Sequence, residues 1–164
     1  MKTLPPPFSR YAITEEGVLY SLIGNIPYKM SQSSDGCGYL RTSLSSDKSK
    51  KITCHIHRLV WIAFNGNIGD GLVIDHINHN ILDNNLSNLR LVTIQDNLKN
   101  KKKSPRNTSG VTGVSWDNQR KKWLAQICVN GKNTYIGRFD NVEDAISKRK
   151  EAEKEHGYHV NHGK

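Results

Sequence analysis

Short apolar runs along the first hundred residues alternate with polar residues at strand spacing, and one helical pattern interrupts them. Residues 11–21 predict two short strands around a Glu-Gly turn, and residues 38–44 and 51–56 predict a hairpin after them. Apolar residues between Leu59 and Phe64 share one face of a predicted helix. We interpret His57 as a structural residue at the start of that helix, which we expect to pack behind a hairpin.

A second hairpin and a short helix come next. Residues 73–76 predict a strand that ends in Asp75 and His76, and residues 89–93 predict its partner. A short helix is predicted from Ile94 to about residue 99, with Thr93 in position to cap it. Asparagine is typical of turns, and we expect a turn role alone for four asparagines between the strands: Asn78, Asn80, Asn84 and Asn85.

The last third of the chain predicts a sheet packed on a helix. Three strands are expected at residues 113–116, 122–129 and 133–139. The Asn130-Gly131 pair before the third strand is a strong hairpin signal. A helix is predicted from Val142 to about Glu155, and the apolar face of the middle strand should pack against it: Trp123, Ala125, Ile127 and Val129. The other sheet face is left exposed, and such a face fits a DNA major groove.

Composition limits the class of protein. The chain has 164 residues, of which 35% are hydrophobic, which suits one medium domain or two or three very small ones. No apolar run approaches the roughly 20 residues of a membrane span, and the start lacks a signal-peptide core. Three scattered cysteines favour neither disulfides nor a zinc site, so we expect a cytoplasmic protein. In the C-terminal tail we expect a frayed end rather than a metal site at His156, His159 and His162.

Charge is concentrated in the last third of the chain. Residues 1–100 have ten Lys/Arg and eight Asp/Glu, a net charge of +2, whereas residues 101–164 have fourteen and seven, a net charge of +7. Basic residues also cluster at 99–106, between the two parts. Such a run is usually a solvated linker, but here it favours contact with a DNA backbone.

An adjacent Asp-His pair and a distant asparagine form the candidate catalytic set. Asp75 and Asn97 supply oxygen ligands suited to Mg²⁺ or Mn²⁺. His76 lies next to Asp75, and an imidazole is the side chain that most readily takes up a proton near neutral pH. A hairpin running into a helix would bring the three together for metal-assisted cleavage of a phosphodiester.

These residues resemble the HNH endonucleases of phage and group I introns. The resemblance covers roughly residues 39–100 and depends on the blocks 57–64, 73–78 and 82–93 and on Asn97. It implies a ββα-metal core in which His76 is the general base, Asp75 and Asn97 bind one divalent metal ion, and Asn88 orients the base. Asparagine at the last position points toward the homing-endonuclease branch.

The last third resembles the APETALA2-type DNA-binding domain. The matching blocks are residues 109–116, 122–127, 135–139 and 143–145. The arginines that read DNA in plant members are mostly missing, so the resemblance implies the docking mode but not the plant sequence preference. A module for protein contacts is the alternative. We predict DNA contacts at Arg41, Lys99, Lys101, Lys102, Lys103, Arg106, Ser115, Arg120, Lys121, Lys122, Gln126, Asn133, Tyr135 and Arg138.

Together these patterns predict an α+β protein that acts on double-stranded DNA as a monomer. We expect N-terminal hairpins at residues 1–54, a ββα-metal nuclease core at 55–100, a basic linker at 101–108, and a three-stranded antiparallel sheet packed on one helix at 109–164. The predicted activity is that of a site-specific homing-type endonuclease that nicks one strand with Mg²⁺ or Mn²⁺. A DNA-binding regulator with an inactive nuclease core, and a restriction or packaging nuclease, are the alternatives.

Overall fold

The chain divides into two compact units, Met1–Thr93 and Ile94–Lys164. The computed structural model describes residues 1–100 and 103–163. The division falls before the predicted end of the nuclease core at residue 100, so the predicted short helix belongs to the second unit. The predicted domain bounds stay predictions, and two predicted DNA contacts, Lys101 and Lys102, lie outside the described residues.

The first unit contains three antiparallel sheets, and the predicted hairpins are confirmed. One sheet has the order β1-β2-β3-β4 and consists of β1 (Lys2–Thr3), β2 (Tyr11–Ile13), β3 (Leu19–Ser21) and β4 (Tyr28–Lys29). The next has the order β5-β6-β7 and consists of β5 (Ser33–Ser34), β6 (Leu40–Ser45) and β7 (Lys51–His55). Helix α1 (Ile56–Asn65) follows, and then β8 (Leu72–His76) pairs with β9 (Leu89–Thr93).

One hydrophobic core joins these sheets through α1. The buried residues of the helix recur at the spacing of one helical face: Ile56, Leu59, Val60 and Ala63. They pack with Ile13, Leu19 and Leu44 from the N-terminal sheets and with Leu89 from β9. Each of the isoleucine, leucine and valine side chains contributes about 1.5–3 kcal/mol by leaving water. The N-terminal hairpins and the β8–β9 hairpin therefore share one core.

The second unit is a sheet packed on a helix, as predicted. It consists of α2 (Ile94–Leu98), β10 (Val114–Asp117), β11 (Lys122–Val129), β12 (Lys132–Phe139) and α3 (Val142–Glu155), with strand order β10-β11-β12. Asn130 and Gly131 both have positive φ, 50° and 78°, which fits the predicted tight hairpin turn. The core contains Ala125, Val114 and Ala145, with Trp123 packed against them.

The C-terminal segment closes the free edge of the middle strand. Because β10 pairs only as far as Ala125, no strand among the described residues pairs with the later part of β11 on that side. There Tyr158 Oη donates a 2.7 Å hydrogen bond to the carbonyl of Cys128. His162 is only 6% exposed, so the expectation of a frayed end is wrong for this residue. Burial lowers the pKa of His162 below its ordinary value.

No helix in the described part of the chain is long and apolar enough to span a membrane.

Candidate active site

Strand pairing places the two central candidate residues at the end of β8. Asp75 lies opposite Arg90 and His76 lies opposite Leu89 in the antiparallel ladder. Consecutive strand residues point to opposite faces, so the carboxylate and the imidazole meet different neighbours. Asp75 is 8% exposed and His76 is 5% exposed. Two buried polar groups side by side require specific partners.

The partner of Asp75 is the guanidinium directly opposite. Nη2 and Nε of Arg90 donate hydrogen bonds of 2.7 and 2.9 Å to Oδ2 of Asp75. Directly opposed residues share a sheet face, which is why a cross-strand ion pair can form here. The pair fixes the carboxylate rotamer and compensates its burial.

The partner of His76 is Asn84, whose amide Oδ1 lies 3.2 Å from Nε2 of the imidazole. The amide orientation follows from its other bond, because Nδ2 of Asn84 donates to the carbonyl of Leu82 at 3.3 Å. Oδ1 is therefore the acceptor, and Nε2 of His76 must be the protonated nitrogen. In this tautomer the lone pair of the neutral ring is on Nδ1. The expectation that Asn84 has only a turn role is wrong.

The N-terminal hairpins hold Asn84 in place. Asn84 is 3% exposed, and the Glu-Gly turn after β2 lies against it. Gly17 has φ +83°, and a Cβ there would lie 3.1 Å from Cβ of Asn84. Next to this contact, the N–H of Leu86 donates a 2.8 Å bond to the carbonyl of Glu15. A residue other than glycine at position 17 would be strained and would push against the asparagine.

Asn88 closes the loop between β8 and β9. Its Oδ1 accepts from the N–H of Asn78 at 3.0 Å, and its Nδ2 donates to the carbonyl of Asp83 at 2.8 Å. Its backbone carbonyl also accepts from the N–H of Ile77. These bonds tie the two strand ends together just beyond His76, and the effect of Asn88 on the base stays a prediction.

A group of aromatic rings surrounds the imidazole of His76. The ring centroid of His57, on the first turn of α1, lies 5.3 Å away at an edge-on angle of 77°. His55 stacks on His57 at 5.4 Å, and Tyr39 lies 6.0 Å from His76. His57 was predicted to be structural, and no sequence signal connected it to the candidate base, His76. Folding of α1 against β8 makes the contact.

Burial determines the protonation of His57. Burial, followed by the neighbouring His76 and His55, lowers the pKa of His57 to about 3, so the ring is neutral at physiological pH. Its Nδ1 is buried and has no hydrogen-bond partner among the described residues. His55, which stacks on His57, has Oδ2 of Asp35 at 3.0 Å from its Nε2. That hydrogen bond lowers the pKa of the Asp35 carboxyl.

The donor set for a metal ion is small. Among the described residues, no three His, Cys, Asp or Glu side chains are grouped so that they could hold an ion. Asp75 lies in the first unit, whereas Asn97 lies on α2 of the second, and its role as a ligand stays a prediction. One carboxylate and one amide oxygen fit Mg²⁺ or Mn²⁺, since such ions often use few protein ligands together with phosphate and water oxygens.

The sheet of the second unit brings several predicted DNA contacts onto one face. Val114, Ala125 and Gly137 are paired and face the core, so the neighbouring register positions face away from it. Positions on the outward face are Ser115, Lys122, Gln126, Asn133, Tyr135 and Arg138. Arg120 and Lys121 lie in the exposed turn between β10 and β11.

The remaining predicted contacts lie elsewhere. Arg41 is exposed on β6 in the first unit. In the second unit, Lys99 lies 3.6 Å from Asp96, Nζ of Lys103 donates to the carbonyl of Gly110, and Arg106 is exposed. The outward sheet face and the segment before it therefore both present cations.

One carboxylate organises the cations of the outward face. Asp117 accepts backbone bonds from Gln119 and Arg120 on Oδ1, and Nε of Arg138 donates a 3.0 Å bond to its Oδ2. Nη1 of Arg120 lies 3.6 Å from the same oxygen. The backbone N–H of Arg120 and then the guanidinium of Arg138 lower the pKa of Asp117, which keeps it charged. Lys122 pairs separately with Asp140 at 3.1 Å.

Comparison with known proteins identifies the family. The sequence model of the HNH endonucleases matches residues 54–99, which include Asp75, His76, Asn88 and Asn97. Protein 3.8 of Escherichia phage T7 is 43% identical over 87 residues, which cover 53% of this chain and 72% of that protein. The chain belongs to the HNH endonuclease family. The predicted α+β class and the nuclease are thus confirmed at the level of the family.

Two further HNH proteins are similar over part of their length. An uncharacterized HNH endonuclease of Acanthamoeba polyphaga mimivirus is 36% identical over 91 residues, covering 55% of this chain and 46% of that protein. A solved structure, on DNA binding and cleavage by the HNH homing endonuclease I-HmuI, is also similar. The match covers 60% of this chain and 55% of the chain in that structure, with 31% sequence identity and a TM-score of 0.54. This chain thus spans about half of each. The APETALA2-type resemblance at 109–164 lies outside the matched family region and stays a prediction.

Proposed function

We propose that this HNH protein is a site-specific DNA endonuclease of the homing type, which nicks one strand of duplex DNA with a histidine base and one divalent metal ion. The observation that carries the proposal is the pair of buried side chains at the end of β8, in which His76 is oriented by Asn84 and Asp75 by Arg90. Such orientation by neighbours is what catalytic groups require.

His76 takes the proton of the attacking water. With Nε2–H donated to Asn84, the ring accepts that proton on Nδ1 and becomes an imidazolium. The amide Oδ1 of Asn84 stabilises this cation, because it continues to accept from the Nε2–H. Asn88 limits movement of the loop beyond β8, so the base keeps its direction.

Asp75 and Asn97 would hold the metal ion, with Mg²⁺ or Mn²⁺ as the suitable choices. When bound, the ion would supply charge stabilisation for the scissile phosphate and the leaving oxygen. Arg90 keeps Asp75 in one rotamer and balances its charge before DNA and metal arrive. Its contribution is preorganisation of the ligand.

The second unit supplies the duplex affinity in this proposal. Residues 101–164 have a net charge of +7, which favours phosphate backbones over other partners. The outward sheet face offers side chains that can enter a major groove. One catalytic set per chain suits a monomer that cuts one strand.

A plasmid assay tests the proposal. Supercoiled DNA incubated with the full chain and Mg²⁺ or Mn²⁺ should become open circles, and chelation should stop the reaction. His76→Ala should lose at least about 100-fold of the rate while binding DNA within a few-fold. His79→Asn is the matched control, because His79 lies in the same loop at φ +63°, which asparagine tolerates.

The outcomes separate the candidate functions. DNA binding without any metal-dependent cutting would support a DNA-binding regulator with an inactive nuclease core. Normal cutting by His76→Ala would exclude the assignment of the base. Linear DNA that forms at early times without open circles would show that the protein cuts both strands rather than nicking one.

A further inference from the structure

Arg138 has an unusual position for a surface cation. It begins on β12, yet its Nε bonds Asp117 on β10, and β11 lies between these strands. Neighbouring strands are about 4.8 Å apart, so the side chains of Arg138 and Asp117 together bridge roughly 10 Å across the sheet. The guanidinium therefore lies over the middle of the outward face. In a sheet docked into the major groove, this part of the face would meet the base edges.

Two contacts hold this guanidinium in a fixed orientation. Asp117 binds its Nε, and the ring of Tyr135 lies 5.2 Å from its central carbon. Asp117 is itself rigid, because its other oxygen is bonded by two backbone N–H groups of the following turn. An arginine held through Nε still has two Nη groups with which to make a bidentate contact. The stacked tyrosine reduces the entropy lost when that contact forms.

The fixed carboxylate argues against a phosphate as the ligand of Arg138. Phosphates bind best where cations are unopposed, as at the exposed Lys121, whereas Asp117 adds negative charge within hydrogen-bond distance of Arg138. A guanine edge is neutral and offers two acceptors, O6 and N7, at the spacing of a guanidinium fork. Because guanine has no net charge, Asp117 repels its acceptors far less than it repels a phosphate.

We propose that Arg138, held by Asp117 and Tyr135, reads one guanine in the major groove and sets the base preference of the protein at that position. The inference rests on the proposed DNA-cleaving function and adds a specificity-determining residue to it. Lys121, by contrast, adds affinity that is independent of sequence.

Selection from a randomised duplex library tests the inference. The full-length chain binds the library in chelator, so that selection reports binding alone, and the enriched sequences are compared among variants. The unmodified chain should enrich a motif with at least one required guanine, and Arg138→Ala should lose the preference there by about 5- to 150-fold. Replacing this guanine by 7-deazaguanine should weaken the unmodified chain and leave Arg138→Ala insensitive.

Arg138→Lys is the decisive variant. Lysine keeps the positive charge and most of the aliphatic chain but lacks the paired N–H donors of the guanidinium. This variant should therefore lose the guanine preference as Arg138→Ala does. Asp117→Asn keeps an acceptor for the turn but removes the ion pair, and it should reduce the same preference. Lys121→Ala is the matched control and should weaken all sequences equally, with a smaller salt slope.

The contrary outcomes are distinct. An unchanged motif in Arg138→Lys would make Arg138 a phosphate contact and overturn the inference alone. If the unmodified chain enriched no motif, the guanine reading by Arg138 would also be overturned. The nuclease proposal would not be affected, because the plasmid assay tests it separately. Failure to bind any duplex would overturn the proposed function and this inference together.

Discussion

The imidazole of His76 and the amide of Asn84 are joined by a 3.2 Å hydrogen bond whose direction is determined by a second bond of the same amide to Leu82. That geometry assigns the proton of the neutral ring to Nε2. It also links the proposed base to the N-terminal hairpins, because Gly17 packs directly against Asn84.

Asn84→Ala should lower the nicking rate by about 10- to 100-fold with little change in KM, since it releases the ring without touching DNA. Nitrogen NMR of the metal-free protein should show the Nε2–H tautomer of His76 in the unmodified chain and a mixture in the variant. Asn80→Ala, an exposed asparagine of the same loop, should change neither readout. Equal effects of the two variants would refute a positioning role for Asn84.

Arg90→Ala should lower the free energy of unfolding of the first unit by about 2–4 kcal/mol, because it leaves the carboxylate of Asp75 buried without its cation. Mg²⁺ or Mn²⁺ should restore part of that stability in the variant and change the unmodified chain less. Urea unfolding with and without metal measures both effects. Arg58→Ala, which removes an exposed arginine of α1, provides the control. A metal effect of equal size in all three proteins would contradict the ligand role of Asp75.

The first unit should become less stable as the pH falls below about 6.5. The folded-state pKa of His57 is about 3, whereas an unfolded histidine has a pKa near 6.5. Between these values the unfolded chain binds a proton that the folded chain excludes, so stability is lost as pH falls through this window. NMR should show a neutral His57 ring at pH 5 in the folded protein.

His57→Phe separates this effect from other titrations. The aromatic ring is kept but no proton can bind, so the decline in stability between pH 6.5 and 4.5 should be less steep. Unfolding followed through the indole signal of Trp61, which packs against the core of the first unit, measures this slope. The same slope in both proteins would show that His57 does not cause it.

Arg149→Ala should destabilise the second unit by about 3–5 kcal/mol. Arg149 is 2% exposed on α3, where Nε donates to the carbonyl of Thr112 at 3.0 Å and the guanidinium lies 3.3 Å from Glu153. Its removal leaves the carbonyl of Thr112 without this donor and takes away one of the two cations that pair with the buried Glu153, the other being Lys150 at 2.7 Å. Lys148→Ala, which breaks an exposed pair with Glu151, should cost no more than about 1 kcal/mol. Urea unfolding followed by Trp123 fluorescence compares them, and similar losses would refute the buried pair as the cause.

The second unit was predictable because its signals are local. The alternation in β11, the Asn130-Gly131 turn and the helix beginning at Val142 each act within a few residues, and the structure confirms all three. Burial of His162 was not predictable, since it depends on the free edge left by β10 and on packing of the C-terminal segment there. A Gly-containing tail carries no sequence signal for such docking.

At the candidate active site, the sequence by itself determined the family pattern, namely the order of Asp75, His76, Asn88 and Asn97, and the hairpin that carries the first two. Only the tertiary structure decided which neighbours orient them. Asn84 bonds the imidazole of His76, Arg90 pairs with the carboxylate of Asp75, and the ring of His57 lies against His76. The physical reason is range. Strand periodicity and turn preference act between adjacent residues, whereas the direction of a buried amide or ring is set when distant segments exclude water around it and bring specific partners to it.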